Sequence, residues 1–238
     1  MIPEFYVVLV EPKYGGNIGS IARLMMNFDF SNLILVNPCR FDDDCYRRAM
    51  HASSVIDQAR ICSSFEDAVA DMDYLVATSC IESLNDKRHL RKAVLLNDFV
   101  EKVYDVEGKV GLIFGREDYG LFNEEIAVCD ILVKIPTSDV YPSLNVSHAV
   151  GLVLYELYVH RFRSSRVKKR GLSRVERDKL YEFFMLLLDA IDYPKHKRDN
   201  TMIMFRRLMG RAMPSKWEYH TLMGVLGESV KRIKQGRR

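Results

Sequence analysis

The sequence predicts an α/β domain with a mostly parallel sheet, followed by a small all-α C-terminal extension. Short apolar runs alternate with helical stretches over the first 160 residues, as in a parallel sheet with crossover helices. Two of these runs end in loops rich in glycine, proline and small polar residues, and such loops bind ligands in open α/β sheets. After residue 162 the strand-like runs stop. We therefore predict an α/β domain over 1–162, a basic linker over 163–172 and a helical basic domain over 173–238.

Five short segments are predicted to be strands because each is apolar and rich in β-branched or aromatic residues. They span residues 5–10, 33–36, 74–77, 110–114 and 131–133. The second strand ends at Asn37-Pro38, because proline lacks the backbone donor that a sheet needs.

Helices are predicted between the strands and after the last one. They cover residues 17–26, 44–53, a segment that opens at 64, 96–104, 123–129 and 146–162. Asn17 can cap the first helix, and one of the aspartates at 42–44 can cap the second. Ser64 opens the third, with Asp67 at the capping-box position.

The C-terminal extension is predicted to hold three helices, over residues 173–191, 201–213 and 215–235. Ser173 and Glu176 form a capping box at the start of the first helix, and Tyr193-Pro194 ends it. Its apolar residues lie on one face at helical spacing. Phe205 and Trp217 are expected in the core of this small unit.

Charge divides the chain into two unlike parts. Residues 1–160 hold 14 basic and 24 acidic residues, a balance of −10, whereas residues 161–238 hold 21 and 8, a balance of +13. Two interpretations stay open. The basic part can bind a polyanion such as RNA, or it can dock on the acidic domain of the same chain or of a dimer partner.

Composition excludes several classes of protein. No apolar run reaches the 18 or more residues of a membrane span, and no signal peptide is expected at the N-terminus. The five cysteines form no CxxC pair, which predicts reduced thiols in a cytoplasmic protein and no zinc site. The adjacent acids Glu117 and Asp118 are interpreted as solvated loop residues, so no metal is expected.

Three loops carry the motifs of a candidate site. Residues 17–23 read NIGSIAR, residues 111–121 read GLIFGREDYGL, and residues 135–147 begin with IPT and end with YPSLNVS. Asn17 stands where a dinucleotide fingerprint needs its second glycine, which disfavours an NAD-type enzyme. In this order and spacing, the loops resemble the three motifs of the SPOUT methyltransferases. The resemblance covers roughly residues 4–158.

Within that superfamily, the chain is most similar to the branch that methylates ribose 2'-hydroxyls in tRNA and rRNA, and within it to the TrmJ group. The resemblance implies a SPOUT fold with a deep C-terminal trefoil knot, and a homodimer that packs through the first and last helices of the domain. It implies S-adenosyl-L-methionine as cofactor and tRNA as substrate, with nucleotide 32 of the anticodon loop as the leading target. Alternatives are an rRNA target, another tRNA position, or a catalytically idle RNA-binding homologue.

The resemblance also assigns residues. Arg23 is the expected catalytic residue, and Asn17, Ser143 and Asn145 are expected beside it. Arg23 acts either as a general base or, because guanidinium is essentially always protonated, as a phosphate contact that stabilises alkoxide charge. The cofactor pocket is expected to comprise Thr78, Ser79, Cys80, Gly115, Glu117, Gly120, Ile135, Pro142, Ser143 and Leu144. Relatives often carry an arginine after the polar pair of the 78–80 loop, where this chain has Cys80-Ile81-Glu82.

Two groups of basic residues are candidate RNA contacts. One lies between the cofactor loops in sequence and comprises Lys87, Arg88, Arg91 and Lys92. The other lies in the extension and comprises Arg206, Arg207 and Arg211. Such clusters neutralise RNA phosphates, although a solvated loop is the commoner meaning of a short basic run.

Overall fold

The predicted α/β fold with a parallel sheet is confirmed by a computed structural model, which describes residues 3–79, 93–163 and 171–236. Its seven strands all pair in parallel, in the order β3-β2-β1-β6-β4-β7-β5. The strands are β1 (Glu4–Val10), β2 (Asn32–Val36), β3 (Arg60–Cys62), β4 (Tyr74–Thr78), β5 (Val94–Leu95), β6 (Lys109–Phe114) and β7 (Ile131–Lys134).

Hydrophobic layers cover both faces of the sheet. Along β1, Val7 and Leu9 point into one buried cluster and Val8 and Val10 into the other, because successive side chains of a strand face opposite sides. A parallel sheet buried on both faces explains why its strands read as continuous apolar runs. The carboxyl ends of the strands share one edge, where ligands of such sheets bind.

Helices α1 to α7 of this domain are α1 (Gly15–Asn27), α2 (Asp43–Ala49), α3 (Ser53–Asp57), α4 (Phe65–Val69), α5 (Leu96–Val103), α6 (Asn123–Val128) and α7 (Val146–Arg163), with a 3-10 turn at Met50–Ala52. Two predicted caps are confirmed. The carboxylate of Asp42 accepts the N–H of Cys45 at 2.9 Å, and the hydroxyl of Ser64 accepts the N–H of Asp67 at 3.1 Å.

The predicted cap at Asn17 was wrong. Helix α1 already begins at Gly15, with Tyr14 at the N-cap position and no side-chain cap. Close packing at the first residue explains the earlier start: a Cβ on Gly15 would lie 2.5 Å from a carboxylate oxygen of Asp42, the N-cap residue of α2. Glycine on this face lets α1 approach α2 closely, and the side chain of Asn17 is left for other partners.

The extension contains α8 (Arg174–Ala190), α9 (Lys195–Ala212) and α10 (Lys216–Gly236). The capping box of Ser173 and Glu176 is confirmed. Helix α9 begins six residues earlier than predicted, directly after Pro194, because a proline fits at a helix start. Phe205 is in the core of the extension, but the prediction for Trp217 was wrong, since its residue surface is 76% exposed.

The extension docks on the α/β domain through buried polar contacts. The hydroxyl of Tyr74 donates to the carbonyl oxygen of Gly210 at 2.7 Å, and burial raises the pKa of Tyr74 well above its usual range. The carboxylate of Asp130 accepts the N–H of Leu75 at 2.9 Å and the hydroxyl of Tyr181 at 3.4 Å. Part of the basic extension therefore packs against the acidic domain. The boundaries at 162 and 172 stay predictions.

Candidate functional site

A cavity of about 160 Å³ lies at the carboxyl edge of the sheet. Loops that follow β4, β6 and β7 form its walls, together with the segment before α7. The predicted cofactor residues that line it are Thr78, Ser79, Gly115, Glu117, Gly120, Ile135, Pro142, Ser143 and Leu144. The structure thus brings these residues to one place. Cys80, the remaining member of the predicted set, lies outside the described residues.

The loop after β6 is a tight turn that needs two glycines. Arg116 and Gly120 form an antiparallel bridge, with backbone N···O distances of 3.2 and 2.9 Å. A Cβ on Gly115 would lie 2.1 Å from the carbonyl carbon of Gly120 and 2.3 Å from the nitrogen of Leu121. Gly120 itself has φ +67°, a conformation that favours glycine.

Arg116 fixes the base of this loop, and sequence reasoning missed it. Its side chain is only 6% exposed and forms a bidentate pair with Glu11, at 2.8 and 2.9 Å. Its other guanidinium edge binds Glu125 at 3.0 and 3.1 Å, and the ring of Phe122 lies 4.0 Å from its central carbon. Hydrogen bonding to Glu11 raises the pKa of Arg116, and the same contact lowers the pKa of Glu11.

The one sequence signal for Arg116 was a lone arginine directly after a buried strand and a glycine. A buried arginine needs carboxylate partners, because an unpaired buried charge is strongly destabilising. Glu11 lies 105 positions away and Glu125 nine, so only the fold brings both to the same guanidinium.

A chain of hydrogen bonds joins the first motif to the other two. The amide of Asn145 donates to the side-chain oxygen of Asn17 at 3.1 Å, and the amide of Asn17 donates to Glu117 at 2.9 Å. The N–H and hydroxyl of Ser147 both donate to the oxygen of Asn145, at 2.9 and 2.7 Å. The backbone N–H of Lys13 donates to Glu117 at 3.1 Å. These contacts fix Asn17 and Asn145 relative to the cavity wall.

Arg23 lies outside this network. It is exposed on α1, six residues after Asn17, which places it about 9 Å further along the helix axis. Its side chain forms no ion pair with any residue in the described ranges, so its guanidinium faces solvent. Ser143, by contrast, lines the cavity and is also exposed.

Comparison with known proteins identifies the family. The model of the SpoU rRNA methylase family matches residues 4–155, which include all three motif loops. The chain belongs to this family. The resemblance to SPOUT methyltransferases that the motifs indicated is confirmed.

Within the SpoU family, similar proteins extend over nearly the whole chain. It is 40% identical to tRNA (cytidine-2'-O-)-methyltransferase TrmJ of Methanocaldococcus jannaschii, over 94% of this chain and 99% of that protein. A probable methylase family protein from Haemophilus influenzae has a solved structure with a TM-score of 0.70 and 30% identity, covering 99% of this chain and 100% of that one.

A SpoU family structure solved with a bound cofactor is also similar. It is the SpoU methyltransferase AviRb from Streptomyces viridochromogenes in complex with AdoMet, with a TM-score of 0.54 and 25% identity. The match covers 69% of this chain and 63% of that one.

The residues of this chain that were predicted to contact RNA fall into three groups. Lys87, Arg88, Arg91 and Lys92 lie outside the described residues. Arg206 is partly exposed and lies 3.9 Å from Asp130, and Arg211 is partly buried beside a cavity lined by Asp98 and Glu101.

Arg207 requires a correction. It is 2% exposed, and its guanidinium donates to the carbonyl oxygen of Ile126, so it holds α9 against the α/β domain. A guanidinium enclosed by protein is not presented to RNA phosphates, and we remove Arg207 from the RNA-binding set.

Among the described residues, no cluster of three or more histidine, cysteine or acidic side chains is arranged to hold a metal ion. In the same ranges no helix is both long and apolar enough to cross a bilayer.

Proposed function

We propose that this protein is a methyltransferase that transfers a methyl group from S-adenosyl-L-methionine to a ribose 2'-hydroxyl of tRNA, with nucleotide 32 of the anticodon loop as the leading target. One observation carries the proposal: two of the motif loops line a single cavity at the carboxyl edge of the sheet, and Asn17 of the remaining motif is hydrogen bonded to both of them. A relative that aligns over 94% of this chain is named as the tRNA methyltransferase TrmJ. That name supports tRNA as the substrate.

The cavity fits this cofactor. Ile135 and Leu144 provide apolar walls for a purine, while Thr78 and Ser79 provide polar atoms beside them. The glycines at 115 and 120 keep the backbone of one wall close to the ligand space. When bound, the cofactor supplies an electrophilic methyl group on its sulfonium sulfur, and no metal is needed for the transfer.

We assign Arg23 to the substrate. A guanidinium is essentially always protonated in proteins, so a phosphate contact and stabilisation of the developing alkoxide suit it better than proton abstraction. Asn17 and Asn145 hold the loops that meet at the cavity, through the hydrogen bonds to each other and to Glu117. Ser143 faces the cavity and is placed to orient the ribose.

A homodimer would bring the Arg23 of one copy to the cavity of the other. Arg23 does not line the cavity of its own chain, whereas α1 and α7 pack together and expose an apolar strip. The strip comprises Met26, Leu152 and Tyr155, which are 42%, 42% and 49% exposed. Apolar side chains that share one exposed face mark a protein interface. We propose that a second copy covers the strip and places its own Arg23 opposite this cavity.

Leu152→Glu should therefore yield a monomer that has lost at least about nine-tenths of its methyl transfer, because a charge in an apolar interface is strongly unfavourable. Sedimentation velocity and transfer to tRNA measure the two effects. Val225→Glu is the matched control, since Val225 is 60% exposed on α10 and away from the strip. A Leu152→Glu protein that stays dimeric and active would contradict the proposed interface.

The extension is proposed to bind tRNA through its exposed lysines rather than through Arg207. Changing Lys195, Lys197, Lys231 and Lys234 to glutamine should weaken tRNA binding and lower the slope of log affinity against log salt by about 0.7 to 0.9 per lost contact. The unfolding temperature should stay the same, because all four are exposed. A filter-binding titration at several salt concentrations measures this. An unchanged slope would leave the extension as a structural brace.

Incubation of the protein with labelled S-adenosyl-L-methionine and total tRNA, followed by mapping of the labelled nucleotide, tests the proposed function. Label at nucleotide 32 is the expected result. Label at another tRNA position, or in rRNA alone, would change the substrate but not the chemistry. Cofactor binding without transfer to any RNA would favour an idle RNA-binding homologue. A trefoil knot, which the resemblance implies, and a cytoplasmic location, which the cysteine pattern predicts, complete the proposal.

A further inference from the structure

Three exposed tyrosines lie in or next to the loops that carry the site. Tyr14, Tyr119 and Tyr141 have 59%, 72% and 79% of their residue surface exposed, which makes them the most exposed of the twelve tyrosines in the chain. Tyrosine rings are usually half-buried or more, because each carries a large apolar surface. Tyr119 lines the cavity and Tyr141 precedes the lining residue Pro142, so we interpret this exposure as a sign of a ligand.

Tyr119 and Tyr141 come from two different motif loops, and Tyr14 shortly precedes the remaining one. Tyr119 lines the cavity within the loop after β6, Tyr14 directly precedes α1, and Tyr141 adjoins Pro142 of the cavity wall. The loops are joined to one another by the bonds of Asn17 to Glu117 and of Asn145 to Asn17. The three rings therefore belong to one connected surface.

Lys13 contacts the ring of Tyr119, one of the three tyrosines. Its ammonium lies 5.5 Å from the ring centre of Tyr119, pairs with the carboxylate of Asp118, and belongs to the residue next to Tyr14. The hydrogen bond that Lys13 donates to Asp118 raises the pKa of Lys13, and the hydroxyls of Tyr119 and Tyr14 add smaller effects in the same direction. Lys13 is therefore engaged by its neighbours and is not a free phosphate ligand.

The third ring is presented outward by its own loop. The hydroxyl of Thr137 donates to the carbonyl oxygen of Pro142 at 3.0 Å, and the N–H of Val140 donates to the hydroxyl of Ser138 at 3.2 Å. Val140 is 92% exposed, so the whole tip from 138 to 141 points to solvent.

Charge at the cavity mouth indicates which part of a nucleic acid faces it. Asp118 is paired with Lys13, but Glu117 of the same loop accepts hydrogen bonds from uncharged groups, and its carboxylate repels phosphates. Unpaired bases are neutral and stack on aromatic rings, which is how proteins recognise single-stranded RNA loops.

We propose that Tyr14, Tyr119 and Tyr141 form a stacking surface that receives unpaired bases next to the methylated nucleotide. These residues position the substrate and take no part in the chemistry. The inference rests on the proposed function and adds to it that the target must be splayed out from a single-stranded loop. Stacking has little base specificity, so discrimination between nucleotides has to come from elsewhere in the site.

Two alanine variants test the proposal, Tyr119→Ala and Tyr141→Ala, each with its phenylalanine counterpart as control. The substrate is a stem–loop RNA of the length of an anticodon arm, with 2-aminopurine beside the methylated nucleotide. Each alanine variant should raise the KM for RNA about tenfold, more than it lowers kcat, and should lose the quenching of 2-aminopurine fluorescence. Phenylalanine should restore both, because it keeps the ring. Cofactor affinity, measured by calorimetry, should not change in Tyr141→Ala, because Tyr141 does not line the cavity.

Wild-type KM and quenching in the alanine variants would overturn the stacking surface. So would conversion of the dimer to monomer in those variants, since the rings would then belong to a subunit contact. If the wild-type protein binds the cofactor and methylates no RNA, the proposed function fails. The quenching titration still decides the inference in that case, because it requires only binding.

Discussion

Replacing Arg23 by alanine should lower methyl transfer by about two to three orders of magnitude and leave the affinity for S-adenosyl-L-methionine within a few fold. The separation of the two effects follows from the structure. Arg23 is exposed on α1 and does not line the cavity, so its loss removes no wall of the cofactor site. Loss of transfer without loss of cofactor binding is the signature of a group that acts on the substrate or the transition state. Labelled methyl transfer and calorimetry measure the two quantities.

Two further variants sharpen the Arg23 experiment. Arg23→Lys keeps the charge but not the planar pair of donors, so it should recover only part of the activity if the contact is bidentate. Asn27→Ala changes another exposed residue of the same helix and should behave as wild type. Near-normal transfer by Arg23→Ala would end the assignment of Arg23 to the reaction.

The strands that matter for the site could be predicted because burial on both faces makes them continuous apolar runs. The same reasoning missed β3 and β5, which are only three and two residues long and lie at the sheet edges. Too few residues point into the core there to produce a pattern. The early start of α1 was missed for another reason: close packing on α2 determines it, and local propensity does not.

Loops of the site could be located from the order and spacing of their motifs, but the interactions that shape them could not. The pairing of Arg116 with Glu11 and Glu125 joins residues 105 and 9 positions apart. The contact of Asn145 with Asn17 joins residues 128 apart. The sequence did not reveal the burial of Arg207, because the adjacent Arg206 lies on the partly exposed side of the same helix. Sequence shows which residues carry charge, and the fold decides which of them meet solvent.

Substitution of Gly115 by valine should weaken binding of S-adenosyl-L-methionine at least about tenfold while the domain still folds. The new Cβ would meet backbone atoms of Gly120 and Leu121 at 2.1 to 2.6 Å, and no choice of rotamer relieves a clash with backbone. The bridge between Arg116 and Gly120 must then open, which moves a wall of the cavity. The buried pairs of Arg116 with Glu11 and Glu125 still hold the base of the loop.

The same replacement at Gly224 provides the control for Gly115→Val. Nothing lies within 4 Å of a Cβ built on Gly224, which is exposed on α10, and valine has a somewhat higher helix propensity than glycine. Gly224→Val should therefore match the wild type in both stability and cofactor affinity. If Gly115→Val fails to fold, Leu144→Glu puts a charge on the apolar wall of the cavity without a backbone clash and should also weaken binding. Calorimetry that finds wild-type affinity in a folded Gly115→Val protein, or in Leu144→Glu, would place the cofactor outside this cavity.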